Sequence, residues 1–338
     1  MPDAPPAPCL THHPTHDAAN AAAFAAAFAS LVDGAVDYAG LFPPAALAMA
    51  PAVRAHAAAR RGPSRRLLGR FVVPAARLEE FEAAALDFLP TDGAVEAGEA
   101  PWRLSVLAGD DLGADLARAA AFNARHAEGT GAGRAVTDAV EWKAGAPAAL
   151  ADAGALRARH LPGAAFYAEL PPGADTRAFA GAAAPLGIGL KLRTGGVTAD
   201  AFPPADAVTA FLAAAAAAGV RAKATAGLHH ALPGEHPLTY EPGCARGAMY
   251  GFVPVLLAGA LVRAGHAPAL VAPLLAERDP AAFHALGTPW GAAPAWRGLA
   301  AAPAAGASAR LLDGFGSCSF DEPAAELRAL GWFPPDTN

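Results

Sequence analysis

Apolar runs of five to ten residues recur along this chain, each closed by glycine, proline or polar residues and followed by an alanine-rich stretch. Eight of them read as strands: 34–41, 66–75, 102–109, 135–142, 164–170, 188–195, 220–227 and 309–316. The stretches between them read as helices, because alanine is a strong helix former. "LEEFEAAALDFL" has acids in its first turn, and "PPADAVTAFLAAAAAAG" opens on proline and closes on glycine. "EPAAELRAL", after Asp321 and Glu322, reads as a last helix with acids at its N-terminus. Strands alternating with helices predict an α/β chain with a parallel sheet. Eight strands are the number that closes a (β/α)8 TIM barrel, which is the fold predicted for residues 18–338. An open doubly wound sheet is the runner-up, but the first strand lacks the glycine-rich turn such sheets carry.

One connection breaks the rhythm. About 231–305, between strands seven and eight, the pattern predicts two or three extra helices and a Pro/Trp-rich loop near Trp290 and Trp296. A connection of that length is usually functional, here as a lid or as a surface for a homo-oligomer. Residues 1–17 read as a flexible tail, with His12, His13 and His16 left solvated in it.

Side chains alternate along a strand, so residues two apart share a face. In "IGLKLRTG" the leucines belong under the helices, which turns Gly189, Lys191 and Arg193 into the barrel. The same parity sends Arg221, Lys223 and Thr225 inward on strand seven, and Tyr167 and Glu169 inward on strand five. Strand four offers Glu141 and Lys143, and strand one offers Asp37. These charges sit late in their strands, at the mouth where barrel enzymes work.

Composition narrows the partners. Hydrophobic residues make up 54% of the 338, enough for a large core, and charged residues only 17%. A net charge of −6 with no basic run argues against nucleic acid. The longest greasy stretch, "GFVPVLLAGALV", is too short to cross a bilayer and holds Pro254, so no membrane partner is expected. Three scattered cysteines without CxxC spacing, and no export signal at the start, point to the cytoplasm.

Adjacent strands lie about 4.8 Å apart, so Lys191 and Lys223 should bring their ammonium groups within roughly 4–6 Å. A free lysine, with a pKa of about 10.4, is protonated at pH 7 and cannot attack a carbonyl. A second cation and an apolar wall both disfavour the charge, which is how a Schiff-base nucleophile is made. The bland alternative pairs the two lysines with Glu141 and Glu169, or uses them to bind an anion without covalent chemistry. Arg193 likewise either forks a substrate carboxylate or phosphate, or pairs with Glu169 or Glu141.

These residues resemble the deoxyribose-phosphate aldolases and their class I aldolase relatives. "KLRTGG" is similar to that family's sixth-strand lysine followed by Thr-Gly, and "KATAGLHH" to its seventh-strand lysine segment, with His229 in place of an arginine. "VDYAGL", "FVVPA", "AVEWKA", "FYAEL" and "GFGSCS" are weaker matches in the same order. By resemblance Lys191 forms the Schiff base and Lys223 lowers its pKa, while Glu141 and Asp37 relay protons and Glu169 completes the catalytic set. Arg193, Thr194, Gly195, Gly196, Thr225, Gly227, His229, His230, Gly316, Ser317 and Ser319 are then the candidate contacts to an anionic substrate. The resemblance implies a carbon–carbon lyase of carbohydrate metabolism that needs no cofactor or metal. Arg193, His229–His230 and the 231–305 insertion depart from the family pattern. A competing reading is a metal-dependent hydrolase or isomerase using His229 or His230 with Glu169. Another is a barrel that binds a ligand without turnover.

Overall fold

A computed structural model describes residues 18–302 and 308–333; the tail with His12, His13 and His16 lies outside the described residues. Seven parallel strands come first: β1 (Val36–Tyr38), β2 (Leu68–Pro74), β3 (Trp102–Ala108), β4 (Ala135–Lys143), β5 (Ala165–Glu169), β6 (Gly189–Arg193) and β7 (Ala222–Thr225). A hairpin of β8 (Gly234–Pro237) and β9 (Arg246–Met249) follows, then a small sheet of β10 (Phe283–Thr288), β11 (Gly291–Trp296) and β12 (Leu299–Ala300). The last barrel strand is β13 (Leu312–Ser317), which closes the ring by pairing with both β7 and β1. The chain is a (β/α)8 TIM barrel.

The helical layer comprises α1 (Ala18–Val32), α2 (Met49–Arg61), α3 (Leu78–Ala85), α4 (Asp92–Glu96), α5 (Leu112–Arg125), α6 (Leu150–His160), α7 (Thr176–Ala183), α8 (Ala205–Ala217), α9 (Phe252–Arg263), α10 (Pro268–Val271) and α11 (Asp321–Ala329). Outward strand residues such as Val36, Phe71, Leu104, Val140, Phe166, Leu190, Ala224 and Phe315 are fully buried beneath these helices. The inward positions carry the polar residues. That split is the alternation of the sequence made physical. Among the described residues, no helix is long and apolar enough to cross a membrane.

The 231–305 segment is only partly helical, which corrects the expectation of inserted helices. "GFVPVLLAGALV" forms α9, buried from Phe252 to Val262 between α1, α8 and β13. It is thus the barrel's own seventh helix. Pro268, Pro273 and Pro280 interrupt the next stretch, leaving the single turn of α10 and short 3₁₀ turns. "FHALGT" then pairs antiparallel with "GAAPAW" around a turn that requires Gly291 at φ +112°. Helix α1 packs on β10 and β11, and its Phe24 meets Phe283 and Trp332 at ring distances of 5.8 and 4.8 Å.

One core residue is out of keeping with its surroundings. His56, on the buried face of α2, sits 4.6 Å from the Trp102 ring and 5.4 Å from that of Phe71. Neither ring nitrogen has a hydrogen-bond partner. Burial, helped by the charge of Arg60, lowers its pKa from 6.5 to about 3. A folded-state value below the unfolded one means that stability is lost as pH falls from 6.5, because only the unfolded chain takes up the proton. His56→Phe should therefore remove about 2 kcal/mol of the stability lost by pH 5. Denaturant unfolding of both proteins at pH 7 and pH 5 measures this, and parallel pH dependences would refute it.

Candidate active site

Lys191 and Lys223 are register partners on β6 and β7, and both side chains enter the barrel, 4% and 2% exposed. Their ammonium groups meet on one side chain. Lys191 Nζ lies 2.5 Å from Glu141 Oε2, and Lys223 Nζ lies 2.5 Å from Glu141 Oε1. Each lysine has a further carboxylate: Glu169 at 2.6 Å from Lys191, and Asp37 bonded to Lys223. Five predicted residues from β1, β4, β5, β6 and β7 thus form one buried chain of alternating charge, Asp37–Lys223–Glu141–Lys191–Glu169. The pairing alternative, with Glu141 and Glu169 on the lysines, describes the resting site.

Local backbone holds this chain in place. The Arg70 amide donates to Asp37 Oδ1 at 2.6 Å, which draws β2 close to the carboxylate. Gly69 is needed there, since a Cβ on it would lie 2.3 Å from that oxygen. Ser105 on β3 donates to Glu141 Oε1 at 2.6 Å. Below, Tyr167 donates to Asp313, which also pairs with Arg221 at 2.7 Å, and Arg70 pairs with Asp138 at 2.6 Å. These groups fill the barrel floor beneath the cluster, with Tyr167 buried and Asp313 paired to both neighbours.

The expectation that each lysine weakens its neighbour's hold on a proton does not survive for Lys223. Burial opposes its charge, but Asp37 and Glu141 outweigh burial and raise its pKa. Glu141 shows the complement. Burial alone would raise it, yet the two ammonium groups hold it well below the usual carboxylate range. Lys223 and Glu141 stay ionised at neutral pH because each is flanked by two groups of opposite charge.

Above the cluster is a cavity of about 360 Å³. Lys191, Glu141 and Glu169 line its floor, while Lys223 and Asp37 lie beneath and do not. Phe42, Pro43, Pro44, Val72 and Leu107 make the apolar wall. Lys143 and Arg193 stand at the rim, the Arg193 side chain 51% exposed and 3.9 Å from Glu169. Gly196, Thr225, Gly227, His229 and Gly316 also face the cavity.

Several predicted contacts do other work. Thr194 is fully buried, and its hydroxyl donates to the Ala226 carbonyl at 2.7 Å, tying β6 to the turn after β7. Gly195 packs against the Phe202 ring, leaving no room for a Cβ. Ser317 is buried 3.2 Å from His229 Nδ1, and Ser319 accepts from the Glu322 amide to start α11. His230 turns outward to Glu326 at 2.6 Å and stacks on His236. The reason is the turn after β7, where Ala226 and Gly227 take φ of +64° and +72° and end the strand alternation. His229 alone faces inward, and burial, aided by His230, lowers its pKa to about 4, so it is neutral at pH 7.

The metal reading finds no support in these placements. Glu169 is engaged by Lys191, and His229 and His230 point apart. Among the described residues, no group of three or more His, Cys, Asp or Glu side chains is arranged to hold a metal ion. Ser105, which strand parity places inward with Leu107, is the site residue the sequence reading passed over; its signal was a hydroxyl in an apolar strand. Phe42, Pro43 and Pro44 of "LFPP" carry no sequence signal beyond that of a turn, yet they form part of the cavity wall.

Removing Glu141 should uncouple the cluster. Glu141→Gln leaves two buried ammonium groups short of a carboxylate and should cost about 3–5 kcal/mol at pH 7. Because the folded carboxyl is held below its ordinary 4.5, this contribution exists above pH 4.5 and drains away below it. Denaturant midpoints should therefore converge for variant and parent as pH falls under 4.5; a constant gap would contradict the assignment. Comparison of the chain with protein-family models, curated proteins and solved structures returned no match, so the chemistry of the site rests on its own residues.

Proposed function

We propose that the protein is a Schiff-base lyase of the class I aldolase kind, acting on a small anionic carbonyl compound. The observation that carries this reading is the single carboxylate shared by two buried lysines, of which only Lys191 opens onto a cavity. A lysine that merely balanced charge would not need a second one beneath it, nor an apolar chamber above it.

The residues divide the labour. Lys191 gives a proton to Glu169, the carboxylate that touches both its amine and the cavity. The neutral amine then attacks the carbonyl carbon, forming the C–N bond. Glu169 returns its proton to the former carbonyl oxygen, and loss of that oxygen as water leaves a protonated imine, which draws the electron pair of the breaking C–C bond toward itself. Lys223 remains an ammonium throughout, clamped by Asp37, and keeps Glu141 anionic beside the imine. Opposite charge beside a cationic intermediate stabilises it most where water is excluded. His229, which is neutral, lines the cavity and is anchored through Nδ1, takes the proton of a substrate hydroxyl in this reading.

The test is covalent capture. Borohydride added with a panel of small aldehydes and ketones should fix an adduct on Lys191, located by peptide mass spectrometry. Lys191→Met should carry none at that position, and turnover should fall by at least about a thousandfold. Absence of any Lys191 adduct across the panel would end the Schiff-base reading.

A further inference from the structure

The charges at the mouth say more about the substrate, provided the Schiff-base reading holds. We infer that the substrate is a 2-oxo acid whose carboxylate is held on the β4–β6 side of the mouth by Lys143 and Arg193.

Register supplies the first reason. Lys143, Glu169, Lys191 and Lys223 are successive partners across β4, β5, β6 and β7, so Lys143 stands in the same row as the nucleophile, two strands away. Arg193 lies two residues further along the nucleophile's own strand, on the same face. Both line the cavity. Lys143 has no ion pair or hydrogen bond among the described residues, and Arg193 has only the 3.9 Å approach to Glu169. Lys191, Glu141 and Glu169, the other charged side chains lining the cavity, are held in close pairs. A carboxylate bonded directly to the reacting carbon would lie close to the Lys191 nitrogen, on the side of the cavity where Lys143 and Arg193 stand.

Charge balance supplies the second. The charged side chains lining the cavity, with the Lys223–Asp37 pair directly beneath them, comprise four cations, Lys143, Lys191, Arg193 and Lys223, against three carboxylates, Asp37, Glu141 and Glu169. One positive charge is in excess. The protonated imine keeps the charge of the ammonium it replaces, so the excess lasts through the reaction. A monoanion neutralises it, whereas a phosphate dianion would leave a negative remainder in a poorly solvated cavity.

The third reason is where phosphate cannot go. Barrel enzymes often hold phosphate at the loops after the seventh and eighth strands. Here Asp321 and Glu322 occupy the first turn of α11, and Glu322 lies 3.7 Å from His229. Ser317 is buried against His229, and Ser319 is turned toward the first turn of α11, where it accepts from the Glu322 amide. That side of the mouth repels an anion and directs it to the other.

The experiment is borohydride capture with three probes: pyruvate, acetone and dihydroxyacetone phosphate. Pyruvate should label Lys191 of the parent protein at the lowest concentration. In Arg193→Met and in Lys143→Met, the ratio of pyruvate to acetone labelling should fall about tenfold or more, the loss of one charge-assisted contact. Both side chains are on the rim, and matched thermal melts verify that the variants fold. An unchanged ratio in both variants, or labelling by dihydroxyacetone phosphate as efficient as by pyruvate, would overturn the carboxylate assignment while leaving the amine chemistry standing. Failure of all three probes to label Lys191 would overturn the Schiff-base reading, and this inference with it.

Discussion

The bidentate use of Glu141 is the constraint around which the interior is built. Two ammonium groups on neighbouring strands cannot be buried together without an anion between them, because the cost of an unpaired buried charge exceeds what packing returns. Glu141 lies between them, one oxygen for each, and Ser105 adds a hydrogen bond to the same carboxylate. The outer carboxylates, Asp37 and Glu169, complete the coordination of each amine. Every other feature of the site follows from keeping those five groups in contact.

The two lysines are chemically unequal for the same reason. Lys223 is enclosed on the deep side, between two carboxylates and over the face of Tyr167, 5.8 Å from the ring centre. It serves as a fixed charge. Lys191 has its partners on the side and the floor and an open cavity above, so of the two it alone is accessible to a molecule in the cavity. Symmetric residues acquire different tasks from different depths in one barrel.

The inward and outward faces were legible in the chain. Strict alternation in "IGLKLRTG", "FYAEL" and "AVEWK" places cations and acids on one face and large apolar residues on the other, and only a closed sheet gives both faces a purpose. The connectivity of the charges was not legible. Lys223 and Asp37 are 186 positions apart and meet only because β13 joins β7 to β1. The consequence for Lys223, a firmer hold on its proton instead of a weaker one, depends on that meeting. Glycine and threonine in "RTGG" carry a turn signal that binding loops and packed loops share, so Phe202 and the Ala226 carbonyl, not the motif, decide that Thr194 and Gly195 are structural.

Period-two patterning and the helix signals between strands determined by themselves that this is a parallel α/β barrel with its charges turned inward, since side-chain direction in a strand is a local property. Tertiary structure alone decided which charges touch, which lysine reaches the cavity, and that His230 leaves the site while His229 stays. It also decided that "FHALGT", within the connection expected to carry extra helices, joins a sheet. Ion pairing and accessibility are set by distances between segments remote in sequence, and no local pattern encodes those distances.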